Sequence, residues 1–237
     1  MSTTTILAGA DATVTVPLIY QLPPSNGEHA YIKSEVDEKK DFQWNFVQDK
    51  HDIQIENIHG NKQLYTLKNI GFQIYNCSTK FTAFHDDKKV QEEYYPKSTE
   101  LIKELTGVSC VILFDHTHHL HQPGELGTSP DHCQPAGQIH VDQTMATSIA
   151  HNDTFPVMLI YPDHEGETMG VKYNSKHQWK YVCGLMPNEF VLIKCFNSIQ
   201  DGSVAVYTPH TSFTDPTTPV DAPPQESIEL RALVFYD

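Results

Sequence analysis

Basic residues are scarce in this chain: 16 Lys and Arg stand against 30 Asp and Glu, a formal net charge of -14. Nucleic acids and anionic membranes need a basic face, so neither is an expected partner. Long apolar runs are lacking too. No stretch approaches the ~18 residues that span a membrane. Met1 to Ala10 has no basic region and too short an apolar stretch for a secretory signal. The expectation is a cytoplasmic protein with no membrane partner. Cysteines are few and odd in number, at Cys77, Cys110, Cys133, Cys183 and Cys195, and no Cys-x-x-Cys occurs. That argues against a disulfide framework and a thiolate zinc ribbon. Several lie in apolar runs, so reduced, buried thiols are expected. Disorder is excluded as the main state, because hydrophobic residues make up 39% and charged residues 19%, an ordinary globular balance.

Helical signal is sparse. Pro96 to Thr106 is the best candidate, with Leu101, Ile102 and Leu105 on one stripe and Gly107 as its stop. The rest reads as mainly β. Strands are expected at Val108–Phe114, Gly137–Val141, Val157–Tyr161, Thr168–Tyr173, Gln178–Val182, Glu189–Phe196, Val204–Tyr207 and Ser227–Tyr236. Asn174 to His177 reads as a hairpin turn between two of them. That set suits a sandwich or jelly roll. Residues 1–95 are more polar, with short strands such as Leu64–Leu67 and Gly71–Tyr75, and read as an N-terminal extension packed on a barrel formed by 96–237. No Gly/Ser linker separates the two, so one domain over 1–237 is expected. His116–Ala136 and Thr211–Pro224 are expected loops.

Fourteen histidines make metal binding a question that must be weighed. Non-haem ferrous oxygenases use two His and one carboxylate on one face of the metal and leave the other positions open. The usual form is His-x-Asp at a strand end, where period two points both side chains the same way, with a second His on a later strand. His-x-Asp occurs three times here, as His85-Asp86-Asp87, His140-Val141-Asp142 and His151-Asn152-Asp153. Composition alone would give about one. Only His140-Val141-Asp142 ends a predicted strand. The other two lie in polar stretches and read as surface loop. His210 ends Val204–His210 and is the expected partner, seventy positions after His140. Spacing alone leaves two structural histidines as open a reading as a metal triad.

His116, His118, His119 and His121, with His132 and Cys133 nearby, form a second cluster. A zinc site is conceivable, but the spacing is not that of a zinc finger. A polar loop at the rim of an active site is the preferred reading, with His116 placed to face the pocket. A co-substrate with a distal carboxylate calls for a cation. Arg231, in the apolar strand Ser227–Tyr236, is the candidate, since its fork matches a carboxylate. An arginine embedded there needs a buried anion, either a ligand or an internal carboxylate, and a pair with Glu229 is the bland alternative. Lys194 is a rival for the same task.

Several segments occur together and in order: Phe114-Asp115-His116-Thr117, Ile139-His140-Val141-Asp142-Gln143-Thr144, Gly166-Glu167-Thr168, Leu192-Ile193-Lys194-Cys195-Phe196-Asn197-Ser198, Thr208-Pro209-His210-Thr211-Ser212-Phe213 and Glu226 to Tyr236. From about Tyr94 onward the chain resembles the fungal hydroxylase/desaturase family that includes gibberellin desaturase-like proteins and the small subunit of cephamycin 7-alpha-methoxylase. The resemblance implies a double-stranded β-helix (jelly roll, cupin-like) with a few flanking helices. It implies Fe(II) held by His140, Asp142 and His210, 2-oxoglutarate as co-substrate with Arg231 on its far carboxylate, and dioxygen. The implied reaction is hydroxylation, desaturation or oxidative cyclisation of a small molecule in secondary metabolism, with a homodimer as a possible assembly. The chain departs from the family's pattern in two places. The segment from Gln143 to Pro156 is several tens of residues shorter than in relatives, and Gln225 stands where they carry Arg before Glu226-Ser227. A 2-oxoglutarate-independent iron oxidase and a non-redox, cupin-like metal-binding protein are the alternatives.

Overall fold

The computed structural model describes residues 12–34, 42–120, 128, 129, 132, 133, 136–142, 153–219, 221, 222 and 225–237. His121, most of the segment after Asp142, and His151-Asn152 therefore lie outside the described residues. The chain divides into two compact units, one of residues 1–78 and 136–219, the other of 79–135 and 220–237.

The first unit is built from sheets. Strand Thr13–Leu22 pairs antiparallel with Val47–Asn57 over ten positions. Its sequence alternates, and Val14, Val16, Leu18 and Tyr20 point inward while Thr13, Thr15 and Pro17 point out. Pro17 is tolerated because this strand is the edge of its sheet, whose order continues through Val47–Asn57 to the parallel strand Trp179–Tyr181. A second sheet runs in the order Phe42–Trp44, Ala30–Ser34, Thr154–Ile160, Glu165–Val171, His140–Val141. A two-stranded ladder joins Phe72–Asn76 to Glu189–Ile193. Tyr20, Leu18, Ile55, Ile139 and Val171 share one apolar cluster. The inward face of the N-terminal strand is thus packed on the strand that carries His140.

The second unit holds a helix and a long hairpin-like ladder. Asp86 caps a short helical turn by accepting a hydrogen bond from the Lys89 amide at 3.1 Å. Helical turns lead on to the helix Tyr95–Thr106, which Gly107 ends at a φ of 72°, as the sequence predicts. Strands Cys110–Leu120 and Glu226–Phe235 pair antiparallel, with an irregularity between Arg231 and Ala232.

Several local expectations differ from the structure. Asn174–His177 does turn, with the His177 amide donating to the Asn174 carbonyl at 3.0 Å, but no hairpin follows. Glu165–Val171 and Trp179–Tyr181 enter different sheets, because the Trp179 indole reaches into the other core and donates to the Tyr20 hydroxyl at 2.7 Å. Leu64–Leu67 is not a strand; a 3₁₀ segment covers His59–Leu64. Val204–Tyr207 is irregular, tied down by Ala205 N–H to the Lys68 carbonyl at 3.0 Å. His116, His118 and His119 do not open a loop. The strand continues to Leu120, carrying His118 and His119 towards the carboxylates of Glu226 and Glu229 across the ladder. Cys77, Cys110, Cys183 and Cys195 are free thiols, but Cys77 and Cys110 are exposed rather than buried.

Gly170 shows how tightly the first unit closes on the His140 strand. It pairs with His140 in register, and a Cβ there would meet Gln21 Oε1 at 2.3 Å and Phe155 Cζ at 2.8 Å. Gly170→Ala should therefore lower stability by about 1–3 kcal/mol, the usual range for overpacking. The check is the urea midpoint, and an unchanged midpoint would mean that this packing is loose.

Candidate metal centre

Two backbone hydrogen bonds build the site. The His140 amide donates to the His210 carbonyl at 3.1 Å, and the His210 amide donates back to the His140 carbonyl at 3.0 Å. The two histidines are thus a directly opposed antiparallel pair, whose side chains emerge on one face. Asp142, two residues after His140, follows on that face. On either side of His140, Ile139 and Val141 are fully buried, and the Thr168 hydroxyl donates to the Val141 carbonyl at 2.8 Å. Each side of this short strand is therefore held.

One ligand atom from each of His140, Asp142 and His210 lies within 4.8 Å of the others. His210 Nε2 is 3.2 Å from Asp142 Oδ2, and His140 Nε2 is 3.5 Å from Asp142 Oδ1. The other ring nitrogens settle the tautomers. His140 Nδ1 lies 2.8 Å from the Gln138 carbonyl and His210 Nδ1 lies 3.2 Å from the Thr208 carbonyl. A carbonyl can only accept, so both Nδ1 atoms carry protons. In the neutral rings both Nε2 lone pairs then face the Asp142 carboxylate. Three acceptors converging without a donor suit a cation. This is also the arrangement in which metal-bound histidines are usually held by a backbone carbonyl behind the ring. The donor set fits ferrous iron, two imidazoles and one carboxylate on one face. Burial pushes the Asp142 carboxyl up, but without a metal, hydrogen bonds and charge from protonated His140 and His210 rings outweigh it and hold the group well below the usual carboxylate range.

Sequence reasoning did not single out two neighbours. Cys195 Sγ lies 3.6 Å from Asp142 Oδ2, and Thr168 supports the strand from behind. Both sit inside ordered motifs, Leu192–Ser198 and Gly166–Thr168, which is the signal that points to them. Lys194 is in the same unit, and its ammonium donates to the Ala205 carbonyl at 2.9 Å. Burial lowers its pKa, and among the described residues no carboxylate partners it. Arg231, the chain's single arginine, belongs to the other unit. Its Nε donates to Glu229 at 3.1 Å and its Nη1 to Asp115 at 3.2 Å. A cavity of about 440 Å³ in the first unit is lined by Thr154, His177, Ala205, Tyr207 and Pro209 among others, and the three clustered residues are not part of its lining.

Of the other two His-x-Asp sequences, Asp86 serves as the helix cap described above. Asp153 accepts from Asn174 Nδ2 at 2.8 Å.

The family described as oxidoreductase/YMDC permease-like domain matches residues 18–151 and 145–235. Among curated proteins, the chain is 26% identical over 250 positions to the hydroxylase/desaturase efuI of Hormonema carpetanum, covering 78% of this chain and 83% of that protein. It is 26% identical over 221 positions to the alpha-ketoglutarate-dependent dioxygenase phiK of a fungal species, covering 73% and 80%. The chain belongs to this oxidoreductase family, that of the fungal non-haem iron hydroxylase/desaturases. A solved iron and alpha-ketoglutarate-dependent endoperoxidase, NvfI, superimposes with a TM-score of 0.80 at 19% identity, over 95% of this chain and 98% of that one. At that identity the likeness is one of fold, and the fold is the mainly β jelly roll. The alignment with efuI also shows a difference in length. It draws on 78% of 237 residues, about 185, so some 65 of its 250 positions set residues of efuI against gaps in this chain. The two stretches of the family match meet at residues 145–151, just past Asp142.

Thr168→Val should remove the hydroxyl's hydrogen bond to the Val141 carbonyl and loosen the His140–Asp142 strand. Loss of such outer support typically weakens metal binding about 10–100-fold. Anaerobic titration with Co(II) reads the change, and wild-type affinity in the variant would show that Thr168 does not support the site.

Proposed function

We propose that this hydroxylase/desaturase is an Fe(II)- and 2-oxoglutarate-dependent dioxygenase that oxidises a small molecule of secondary metabolism by hydroxylation, desaturation or oxidative cyclisation. The observation that carries the reading is the pair of imidazoles locked by their own backbone carbonyls with both Nε2 atoms turned to Asp142. The names of the relatives, a hydroxylase/desaturase and an alpha-ketoglutarate-dependent dioxygenase, point the same way. In this reading His140, Asp142 and His210 hold iron. With 2-oxoglutarate and dioxygen bound, that iron supplies the oxidising chemistry. The chain's own part is to present three ligands on one face, keep the other face open and hold the co-substrate's charge.

Lys194 and Arg231 are the two cations available for the far carboxylate of 2-oxoglutarate. We favour Lys194. Its ammonium is half-buried against a carbonyl alone, whereas two carboxylates already engage the Arg231 guanidinium. A half-buried cation without a counter-ion gains most from an incoming carboxylate. Lys194→Met should raise the KM for 2-oxoglutarate about tenfold or more, while Arg231→Leu should change it far less. The opposite ranking would assign the role to Arg231.

The engagement of Arg231 and the Gln225 substitution favour one rival, an iron oxidase that does not use 2-oxoglutarate. Measured succinate decides between them. One succinate per product, abolished by His210→Ala, is the expected result. Full turnover by His210→Ala would sink the triad assignment, and product without succinate would support the rival. Among the described residues no helix is long and apolar enough to cross a membrane. A cytoplasmic, homodimeric enzyme is part of the proposal, and sedimentation at micromolar concentration tests the dimer.

A further inference from the structure

A second cluster of metal-binding side chains lies wholly within the unit of residues 79–135 and 220–237. It joins His85, just before the capped helical turn, to His118 on one strand of the long ladder and Glu226 at the start of the other. Leu120 is the backbone partner of Glu226, so His118, two residues earlier, stands diagonal to Glu226 on the same face of the sheet. His118 Nε2 lies 2.9 Å from Glu226 Oε1, and His85 Nε2 lies 3.7 Å from the same oxygen. The His85 and His118 rings meet edge to face with centroids 4.5 Å apart.

We propose that His85, His118 and Glu226 form a second divalent-cation site, of zinc type, separate from the His140–Asp142–His210 centre. Two imidazoles and one carboxylate are a borderline donor set that zinc accepts readily. With zinc–ligand bonds of about 2.0–2.1 Å, the ligand atoms of a tetrahedral site stand about 3.3 Å apart. The observed 2.9 and 3.7 Å straddle that spacing, so the site closes around an ion with side-chain adjustment alone. His118 is held in place beforehand, since its side chain is only 10% exposed. One of its ring nitrogens faces Glu226, and the other is buried with no hydrogen-bond partner among the described residues, so nothing else competes for the ring. His85 and Glu226 are more than half exposed, which gives an ion a path in. Three protein ligands would leave a fourth position for water. Neighbouring histidines are already committed elsewhere: His119 to Glu229 at 3.2 Å, and His116 to the Tyr95 hydroxyl at 2.9 Å. Bound zinc would tie three separate segments of this unit together.

The test removes the first centre so that the second is read alone. The full chain carrying His140→Ala and His210→Ala, stripped of metal, is dialysed against micromolar Zn(II) and its metal content measured. Retention of one zinc per chain is expected. Adding His85→Ala, an exposed and conservative truncation, should weaken zinc binding about a hundredfold, and His118→Gln should do the same. A Co(II) spectrum of tetrahedral type in the two-histidine variant, lost with His85→Ala, gives an independent readout. Absence of bound zinc in that variant, or zinc that survives both His85→Ala and His118→Gln, would overturn the proposal. Neither result depends on whether the enzyme uses 2-oxoglutarate.

Discussion

The site depends on one reciprocal pair of backbone hydrogen bonds, between His140 and His210. Each such bond contributes only about 1 kcal/mol net, so the pair does not hold itself. Its strength is borrowed from what flanks it. Ile139 and Val141 are fully buried, and Ile139 N–H continues the pairing by donating to the Ile19 carbonyl at 3.0 Å. The three clustered residues are polar and partly open, while those that fix their position are apolar and closed. Period two interleaves the sets, so His140 and Asp142 face outward from a strand whose intervening residue is core.

This interleaving is why the grouping of His140, Asp142 and His210 was legible in the sequence and much of its support was not. His140-Val141-Asp142 differs from the other two His-x-Asp sequences only in ending an apolar run, and that local difference reflects the burial of Ile139 and Val141. His210 was legible because it, too, closed a run of apolar residues, although Val204–Tyr207 forms no regular strand. The strands Thr13–Leu22 and Val47–Asn57 were the opposite case. The second is polar along most of its length, so its ten-position pairing follows from its partner and not from its own composition. The Asn174 turn failed as a hairpin signal for a similar reason. The turn chemistry is present, but the Trp179 hydrogen bond to buried Tyr20 decides which sheet the next strand joins.

Charge imposes a second constraint. A net charge of -14 repels a dicarboxylate such as 2-oxoglutarate at long range. Any affinity must come from a local cation that burial protects from screening. The described residues offer few. Lys62 and Lys180 are paired with Glu189 and Glu56, and Arg231 with Glu229 and Asp115. Lys194 stands apart in having a carbonyl where the others have a carboxylate. Loss of an arginine at position 225, relative to the family's pattern, would place more of that task on it.

The two His₂–carboxylate clusters use the same donor types and differ in construction, and the difference bears on what each can do. At His140 and His210 both rings are oriented by carbonyls of their own chain, and all three side chains are only 15–26% exposed. Such ligands keep their geometry when the open face exchanges co-substrate for product, which a turnover site requires. At His85, His118 and Glu226 only one ring is buried, and the other two ligands are on the surface. An ion there would gain affinity by recruiting mobile side chains and would lock them in doing so. That pattern suits a cross-link better than an oxidation centre, because a ferrous site that reacts with dioxygen in open solvent lacks the water-excluding walls that confine the reaction.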